Sequence, residues 1–147
     1  IAKIAVENFE ISKNGSVKVK TDFQTGSFVW ADSLELELVI VNLLRNASEA
    51  QGSLSEPIRI SVTQAENKVE ISILDKGRNL SEEELEKLKV PLTSTKENGM
   101  GLGLTIVKTI VEAHQGKISF KRNTDVGLTV TVSFPLVKDG FEWQAQK

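Results

Sequence analysis

The segment from Pro91 to Gly116 constrains the fold of this chain more than any other stretch. A polar loop leads into three glycines at alternate positions, namely Gly99, Gly101 and Gly103. The apolar residues after them recur at helical spacing, so the pattern predicts an amphipathic helix. Glycine lets a ligand or another backbone come close, and the first turn of a helix offers unpaired N–H groups to an anion. The segment therefore predicts either a nucleotide triphosphate site with a flexible cover or a glycine-rich connection before a packed helix.

Composition and charge exclude several classes of protein. The chain has 147 residues and a net charge of −2, so it has no positive field that would recruit nucleic acid or an anionic membrane. It has no cysteine for a disulfide or a thiolate metal site, and a single histidine cannot form a histidine-ligated metal cluster. No apolar run reaches the roughly 20 residues that a membrane-spanning helix needs. Because the chain begins at Ile1 without a signal peptide, we expect one cytoplasmic module of a longer protein.

Alternation of apolar and polar residues predicts the strands, and 3.6-residue periodicity predicts the helices. The predicted strands span 16–23, 28–30, 58–62, 69–73, 117–122 and 128–134, and the predicted helices are 33–51, a short one after Ser81 and the one in the central segment. Most strands are linked as hairpins, and three helices are too few to cover both faces of a sheet. The order predicts an α+β fold, a two-layer α/β sandwich. In it, a mixed, mostly antiparallel sheet of about five strands carries three helices on one face.

The helix predicted at 33–51 follows Asp32, a good N-cap residue, and ends before Gly52. It places Asn42 and Asn46 one turn apart, at the margin of an apolar stripe. Two asparagines inside a helix cost about 1 kcal/mol relative to alanine, so their presence needs a reason. Amide oxygens at such a margin suit Mg²⁺, an ion that keeps waters and phosphates in its shell. The alternative is that both are half-exposed polar residues of an amphipathic helix.

Three further side chains have a ligand-binding and a structural interpretation. Asp75 ends a predicted strand before Gly77, so it could accept a hydrogen bond from an exocyclic amine such as that of adenine, or close an Asx turn. Lys96 could reach a terminal phosphate as a mobile charge or stay solvated in its loop. His114 lies in the last helical turn before Gly116, where we expect a structural role rather than a nucleophilic one.

Several common motifs are missing. There is no G-x-x-x-x-G-K-[ST] segment, so the chain has no P-loop. The three glycines do not form G-x-G-x-x-G and no strand leads directly into them, so a dinucleotide site of the Rossmann type is not expected. A Ser-His-Asp arrangement is not expected either.

Four segments, taken together, resemble the catalytic ATP-binding domain of bacterial sensor histidine kinases. That domain belongs to the superfamily of gyrase, the heat-shock chaperone ATPase and mismatch-repair ATPases. The segments are N-L-L-R-N-A at 42–47, D-K-G-R-N at 75–79, S-T-K at 94–96 and G-M-G-L-G-L at 99–104. The resemblance covers about residues 16–136 and implies the Bergerat type of ATP-binding fold. The S-T-K segment corresponds to the end of the family's lid, the loop that closes over ATP. This lid and Glu112-Ala113-His114 are most similar to the nitrogen-regulatory type of kinase.

The resemblance implies a role for each matching residue. Asn46 would ligate a Mg²⁺ ion that bridges the phosphates, Asn42 would support it, and Lys96 would complete the catalytic set. Asp75 would hydrogen-bond the adenine amino group, with Gly77 against the ring. The full set of residues implied to bind ATP is Asn42, Asn46, Asp75, Gly77, Asn79, Thr95, Lys96, Gly99, Gly101, Leu102, Gly103 and Leu104.

The implied activity is transfer of the γ-phosphoryl group of Mg·ATP to a histidine on a separate dimerisation domain, with a response regulator as a further partner. Relatives that hydrolyse ATP have a glutamate at the position of Asn42, and an amide cannot act as a general base at neutral pH. We therefore expect ATP to be held for transfer. Residues 1–15 would end an upstream linker or dimerisation helix, 16–136 would form the catalytic domain, and 137–147 a C-terminal tail.

Departures from the family pattern keep other functions open. Asn79 stands where the second glycine of D-x-G-x-G belongs, Leu128 replaces a threonine often found near adenine, and the usual lid phenylalanines are missing at 92–93. One alternative is a degenerate module that binds nucleotide or docks partners without transfer. Another is a serine kinase of the anti-sigma type or a hydrolysing ATPase. The resemblance implies a monomeric isolated domain of a homodimeric parent, and leaves open whether that parent is anchored in a membrane.

Overall fold

The computed structural model describes residues 1–24, 26, 29–90 and 101–137, with only the backbone for 101 and 102. In chain order the elements are α1 (Ala2–Ser12), β1 (Val19–Phe23), α2 (Ser33–Gln51), β2 (Ile58–Ala65), β3 (Lys68–Leu74), α3 (Glu82–Lys89), α4 (Gly101–Ala113), β4 (Lys117–Arg122) and β5 (Leu128–Pro135). The predicted α+β class is confirmed. The described residues form four helices, because Ala2–Ser12 adds the helix α1 to the three helices predicted on the sheet.

The five strands form one mixed sheet in the order β1-β2-β3-β5-β4. Both predicted hairpins are confirmed, β2 with β3 and β4 with β5. β1 runs parallel to β2, which is possible because α2 supplies the long crossover that a parallel pair needs. The short strand predicted at 28–30 is not part of this sheet. Val29 makes only an isolated bridge to Leu136, and residue 28 lies outside the described residues.

α2 begins and ends where the sequence predicts, because both of its ends are capped. The Asp32 carboxylate accepts hydrogen bonds from the N–H groups of Leu34 and Glu35, at 2.9 and 3.0 Å. After the helix, Gly52 has a φ of 58°, a left-handed conformation that favours glycine. The apolar face of α2 is buried: Leu36, Val39, Ile40, Leu43, Leu44 and Ala47. α2 packs against α1, α4 and the sheet, so it is the central helix of the domain.

α1 packs on α2 through Ala5, Val6 and Phe9. Ala5 is fully buried in the core by this contact. Ile4 is exposed on the same helix. None of the described helices is both long and apolar enough to cross a bilayer.

α3 is short, as predicted, and is fixed at both ends. The Ser81 hydroxyl accepts a hydrogen bond from the Glu84 N–H at 3.1 Å, which caps the first turn. At the other end the Lys108 ammonium group of α4 donates to the carbonyl oxygens of Leu88 and Val90. A cation at a helix C-terminus is favourable, so Lys108 ties the end of α3 to α4.

The core lies between α2, α4 and one face of the sheet. Its sheet residues alternate along β3 and β5: Val69, Ile71, Ile73, Leu128, Val130, Val132 and Phe134. The other face is polar, and one row across four strands consists only of hydroxyl residues: Ser61, Ser72, Thr131 and Ser119. On the core side, the end of β3 meets the last turns of α2 and the first turn of α4. A cavity forms where these elements converge.

Candidate functional site

A cavity of about 280 Å³ lies between α2, α4 and the ends of β3 and β5. The residues that line it are Leu43, Asn46, Ala47, Glu49, Ala50, Ile73, Asp75, Arg78, Leu80, Leu104, Phe120, Leu128 and Val130. Most of these walls are apolar, and two buried polar side chains, Asn46 and Asp75, face the space between them. An apolar cavity with a few convergent polar groups is the usual form of a small-molecule site.

Asp75 is held at the floor of this cavity by backbone donors. Its Oδ1 accepts hydrogen bonds from the N–H groups of Gly77 at 2.8 Å and Leu128 at 3.3 Å. The side chain is only 5% exposed, and this burial raises the pKa of the Asp75 carboxyl, although the two N–H groups act in the opposite direction. Both interpretations of Asp75 left open by the sequence are thus compatible: it forms an Asx turn and also lines a cavity.

The loop after Asp75 lies against the end of α2. A Cβ atom added to Gly77 would be 2.6 Å from the Ala50 carbonyl oxygen, so only glycine fits there without movement. Gln51 fixes the same loop: its Oε1 accepts from the Lys76 N–H at 2.7 Å, and its Nε2 donates to the Glu56 carbonyl at 2.8 Å. Sequence reasoning missed Gln51.

A signal for Gln51 is nevertheless present in the sequence. It lies one turn after Ala47 on the buried stripe of α2, and it is only 7% exposed. A polar residue at a core position needs hydrogen-bond partners, because burial of an unpaired amide costs free energy.

Asn42 and Asn46 are both buried, so the alternative of two half-exposed polar residues is wrong. Asn42 Nδ2 donates to the Leu38 carbonyl at 2.8 Å. Asn46 Nδ2 has no hydrogen-bond partner in the described part of the chain, the one such buried side-chain atom found there. A Cβ atom on Gly103 would be 3.0 Å from Asn42 Oδ1 and 3.5 Å from Asn46 Oδ1, so the first turn of α4 faces both amides.

The donor set around Asn46 fits a hard cation that brings most of its own ligands. Among the described residues no group of three or more His, Cys, Asp or Glu side chains could hold a metal. Asn42 and Asn46 instead offer amide oxygens next to the backbone of Gly103. Mg²⁺ usually takes one or two protein oxygens and fills its shell with water and phosphate oxygens, which agrees with this sparse set.

The other predicted site residues are distributed as follows. Leu104 is buried and lines the cavity, as does Leu128. Asn79 lies beside the cavity, and its Oδ1 accepts from the Gly127 N–H at 3.1 Å. Gly101 and Leu102 form the start of α4, whereas Thr95, Lys96 and Gly99 lie outside the described residues.

His114 does not belong to the cavity. Its Nδ1 lies 2.8 Å from the Ile110 carbonyl oxygen, and its Nε2 accepts a hydrogen bond from the Asp32 N–H at 3.2 Å. The ring also packs edge-on against Phe134. The histidine therefore links the end of α4 to the N-cap of α2, the structural role that the sequence predicts.

Residues 31–138 match the family of histidine kinase-, DNA gyrase B-, and HSP90-like ATPases. Sporulation kinase B of Bacillus subtilis is 34% identical over 120 residues, which are 82% of this chain and 28% of that protein. The C4-dicarboxylate transport sensor protein DctS of Rhodobacter capsulatus is 36% identical over 115 residues, which are 76% of this chain and 18% of that protein. The chain thus spans only a minor part of the length of these relatives.

A solved structure supports the same relationship. The catalytic domain of the histidine kinase ThkA, in a nucleotide-free form, aligns with a TM-score of 0.77 at 29% identity. The alignment covers 91% of this chain and 89% of that one, so the two share one complete fold.

Proposed function

The chain belongs to the family of histidine kinase-, DNA gyrase B- and HSP90-like ATPases, and its likeness to sensor kinases identifies it as a catalytic ATP-binding domain of the histidine kinase type. From this premise we propose that it binds Mg·ATP and donates the γ-phosphoryl group to a histidine on a separate dimerisation domain. The observation that carries the proposal is the buried amide pair Asn42 and Asn46, which faces the first turn of α4 and contains a donor, Asn46 Nδ2, without a partner among the described residues.

The base of ATP would occupy the 280 Å³ cavity. Asp75 is buried at its floor and offers a carboxylate that can accept from the exocyclic amine of adenine. Gly77 leaves no side chain in this corner, and the apolar walls from Leu43, Ile73 and Val130 suit the faces of an aromatic ring. This end of the cavity supports recognition of adenine.

The phosphates would lie toward Asn46 and the start of α4. Helix N-termini attract anions, and Gly103 lets the α4 backbone approach the two amides. Asn46 would ligate Mg²⁺ with Asn42 beside it, and the bound ion would neutralise charge on the phosphates. We propose that Thr95, Lys96, Gly99, Gly101, Leu102 and Leu104 complete this end, in the roles that the family pattern implies.

The side chain at position 42 favours transfer over hydrolysis. Asn42 is an amide, which is not basic enough to take a proton from water at neutral pH. Its N–H₂ group donates to the Leu38 carbonyl instead. The chain also lacks an acceptor of its own, because both ring nitrogens of His114 are engaged by backbone groups. The acceptor histidine would therefore lie on another domain.

The proposal extends to the parent protein. We infer that residues 16–136 form the catalytic domain, that 1–15 end an upstream helix which docks on α2, and that 137–147 form a tail. The parent would be a homodimer that passes the phosphoryl group to a response regulator, with this domain a monomer in the cytoplasm. We also propose that the parent is a histidine kinase of the nitrogen-regulatory type.

Thermal shift with Mg·ATP tests binding directly. We expect millimolar Mg·ATP to raise the Tm of the wild type and to leave that of Asn46→Asp unchanged, because a carboxylate would repel the phosphates and remove the amide. Asn67→Asp, the same chemical change in the exposed β2–β3 turn, is the matched control and should keep the shift. A wild type without any shift would contradict the proposal.

Autophosphorylation tests transfer. With the dimerisation domain restored and radiolabelled ATP supplied, we expect a labelled histidine in that domain. Binding without label would instead favour the module that binds nucleotide without transfer. Steady ATP turnover by this chain alone would favour a hydrolysing ATPase and contradict the argument from Asn42.

A further inference from the structure

The β4–β5 turn, residues 123–127, is fastened to the loop that carries Asp75. Asn123 Nδ2 donates to the carbonyl oxygens of Asp75 and Val126, both at 2.9 Å. Asn123 Oδ1 accepts from the Thr129 hydroxyl at 2.6 Å. Both N–H groups and the oxygen of this amide are thus engaged, which fixes its rotamer.

Asn79 supplies a second link between the same two segments. Its Oδ1 accepts from the N–H of Gly127 at 3.1 Å. A glycine at position 79, the residue of the family pattern, would have no side-chain acceptor to offer. The asparagine that replaces the family's glycine at position 79 therefore adds a hydrogen bond to the turn.

The β4–β5 turn contacts Asp75 and positions one of the donors to its carboxylate. Gly127 has a φ of 89°, and a Cβ atom there would be 2.1 Å from the Asp75 carbonyl oxygen. The turn backbone thus lies directly on Asp75. The next residue, Leu128, donates its N–H to Asp75 Oδ1 at 3.3 Å, so any shift of the turn moves a donor of the carboxylate.

Neither asparagine lines the 280 Å³ cavity. Asn79 and Asn123 instead line an open groove of about 510 Å³. A ligand in the cavity would therefore contact Asp75 but not the two asparagines. Their influence on a bound base would be indirect.

We propose that Asn79 and Asn123 are positioning residues for base selectivity, because they hold the β4–β5 turn in the place from which it orients the Asp75 carboxylate. This inference rests on the proposed binding of ATP. Adenine presents an exocyclic amine to the carboxylate, whereas the hypoxanthine of ITP presents a carbonyl oxygen at the same ring position. Loss of the orienting contacts should weaken ATP binding more than ITP binding.

Calorimetric titration of the full chain with Mg·ATP and Mg·ITP tests the inference. We expect Asn123→Ala to weaken ATP binding about fivefold to tenfold, the range for one or two hydrogen bonds, and ITP binding by less than about twofold. Asn79→Gly should change the ATP-to-ITP ratio in the same direction by a smaller factor. Thr124→Ala alters an exposed residue of the same turn and is the control, with an unchanged ratio.

The outcomes separate the two proposals. Equal losses for both nucleotides, or an unchanged ratio in both variants, would overturn the positioning role while the ATP-binding proposal stands. A wild type that binds neither nucleotide would overturn both. If circular dichroism shows Asn123→Ala to be unfolded, the ratio measured for Asn79→Gly decides.

Discussion

The two ends of the cavity differ in how their polar side chains are hydrogen-bonded. The base end consists of the loop 75–79, Gln51 and the β4–β5 turn, and there the side chains hydrogen-bond to other parts of the chain. The phosphate end consists of Asn42, Asn46 and Gly103. There the amide of Asn46 is buried with one donor unpaired in the described part of the chain.

This difference indicates where ligand binding and folding stability are separable. A buried polar group without a partner costs about 1–3 kcal/mol, and Asn46 Nδ2 is such a group within the described part of the chain, so a ligand that accepts from it would remove this cost. At the base end the hydrogen bonds form without a ligand and hold Asp75 in place. We therefore expect substitutions at the base end to lower stability and affinity together, and substitutions at the phosphate end to separate the two.

The largest effect is expected for Gly127→Ala at the base end. The new Cβ atom would meet the Asp75 carbonyl oxygen at 2.1 Å in a residue with a φ of 89°. Left-handed backbone strain and overpacking together should lower the free energy of unfolding by about 2–5 kcal/mol, measured by urea denaturation.

Gly15→Ala is the matched control for that clash. Gly15 has a φ of 68°, and a Cβ atom there would meet nothing within 4 Å. It should cost only the backbone strain, about 1–2 kcal/mol. Equal losses for the two variants would mean that the turn does not rest on Asp75.

The second largest effect is expected for Gln51→Ala, which removes the link between the end of α2 and the loop 75–79. The Lys76 N–H and the Glu56 carbonyl lose their partner, and the free energy of unfolding should fall by about 1–3 kcal/mol. The affinity for Mg·ATP should fall with it. Gln51→Glu keeps an acceptor for Lys76 and should lose less. Reduced stability with unchanged affinity would contradict the preorganised base end.

Gln51 also shows why the sequence predicts the fold better than the site. α2 is delimited by Asp32 and Gly52, and the β2–β3 hairpin by its turn, so short-range signals suffice for both. The contacts of Gln51 and Asn123 instead join residues 25 and 48 positions apart, and no local pattern reports them.

Two structural features were inaccessible from the sequence for the same reason. The parallel pairing of β1 with β2 depends on how α2 crosses between them, and β1 alone carries no sign of its neighbour. Local composition predicts a strand at 28–30, but Val29 pairs through an isolated bridge with Leu136, far away in the sequence. By contrast, the spacing of Asn42 and Asn46 within one helix predicts correctly that they lie together.

A smaller effect of opposite sign is expected at the phosphate end. Asn46→Leu replaces an amide whose donor has no partner within residues that the structure describes by an apolar side chain of similar size, so the free energy of unfolding should stay unchanged or rise by about 1 kcal/mol. Mg·ATP binding should be lost. Asn42→Leu is the control: it removes a satisfied donor and should lower stability by about 0.5–1.5 kcal/mol. A loss of stability in Asn46→Leu as large as in Asn42→Leu would mean that the buried amide of Asn46 carries no cost from an unpaired donor, and the argument for the phosphate end would fail.

The smallest effect concerns Asp75 and is visible as a dependence on pH. Burial raises the pKa of its carboxyl in the folded chain, so the folded state holds the proton more tightly than the unfolded state. This contribution to stability is fully present below the ordinary aspartate pKa of about 3.9 and is lost as the pH rises through the raised pKa. Asp75→Asn cannot ionise. The free energy of unfolding of this variant, relative to that of the wild type, should therefore increase as the pH rises from about 4 and then level off.

Asp125→Asn, in the adjoining turn, should show the opposite slope. The hydrogen bond from the Lys76 side chain lowers the pKa of the exposed Asp125, so its contribution to stability is present above the ordinary aspartate pKa and is lost as the pH falls. Urea titrations of the two variants and the wild type at several pH values measure both slopes with the same method. A flat difference for Asp75→Asn would mean that its carboxylate is well solvated. The base end would then be as open as the turn beside it, and the contrast with the buried amide of Asn46 would be lost.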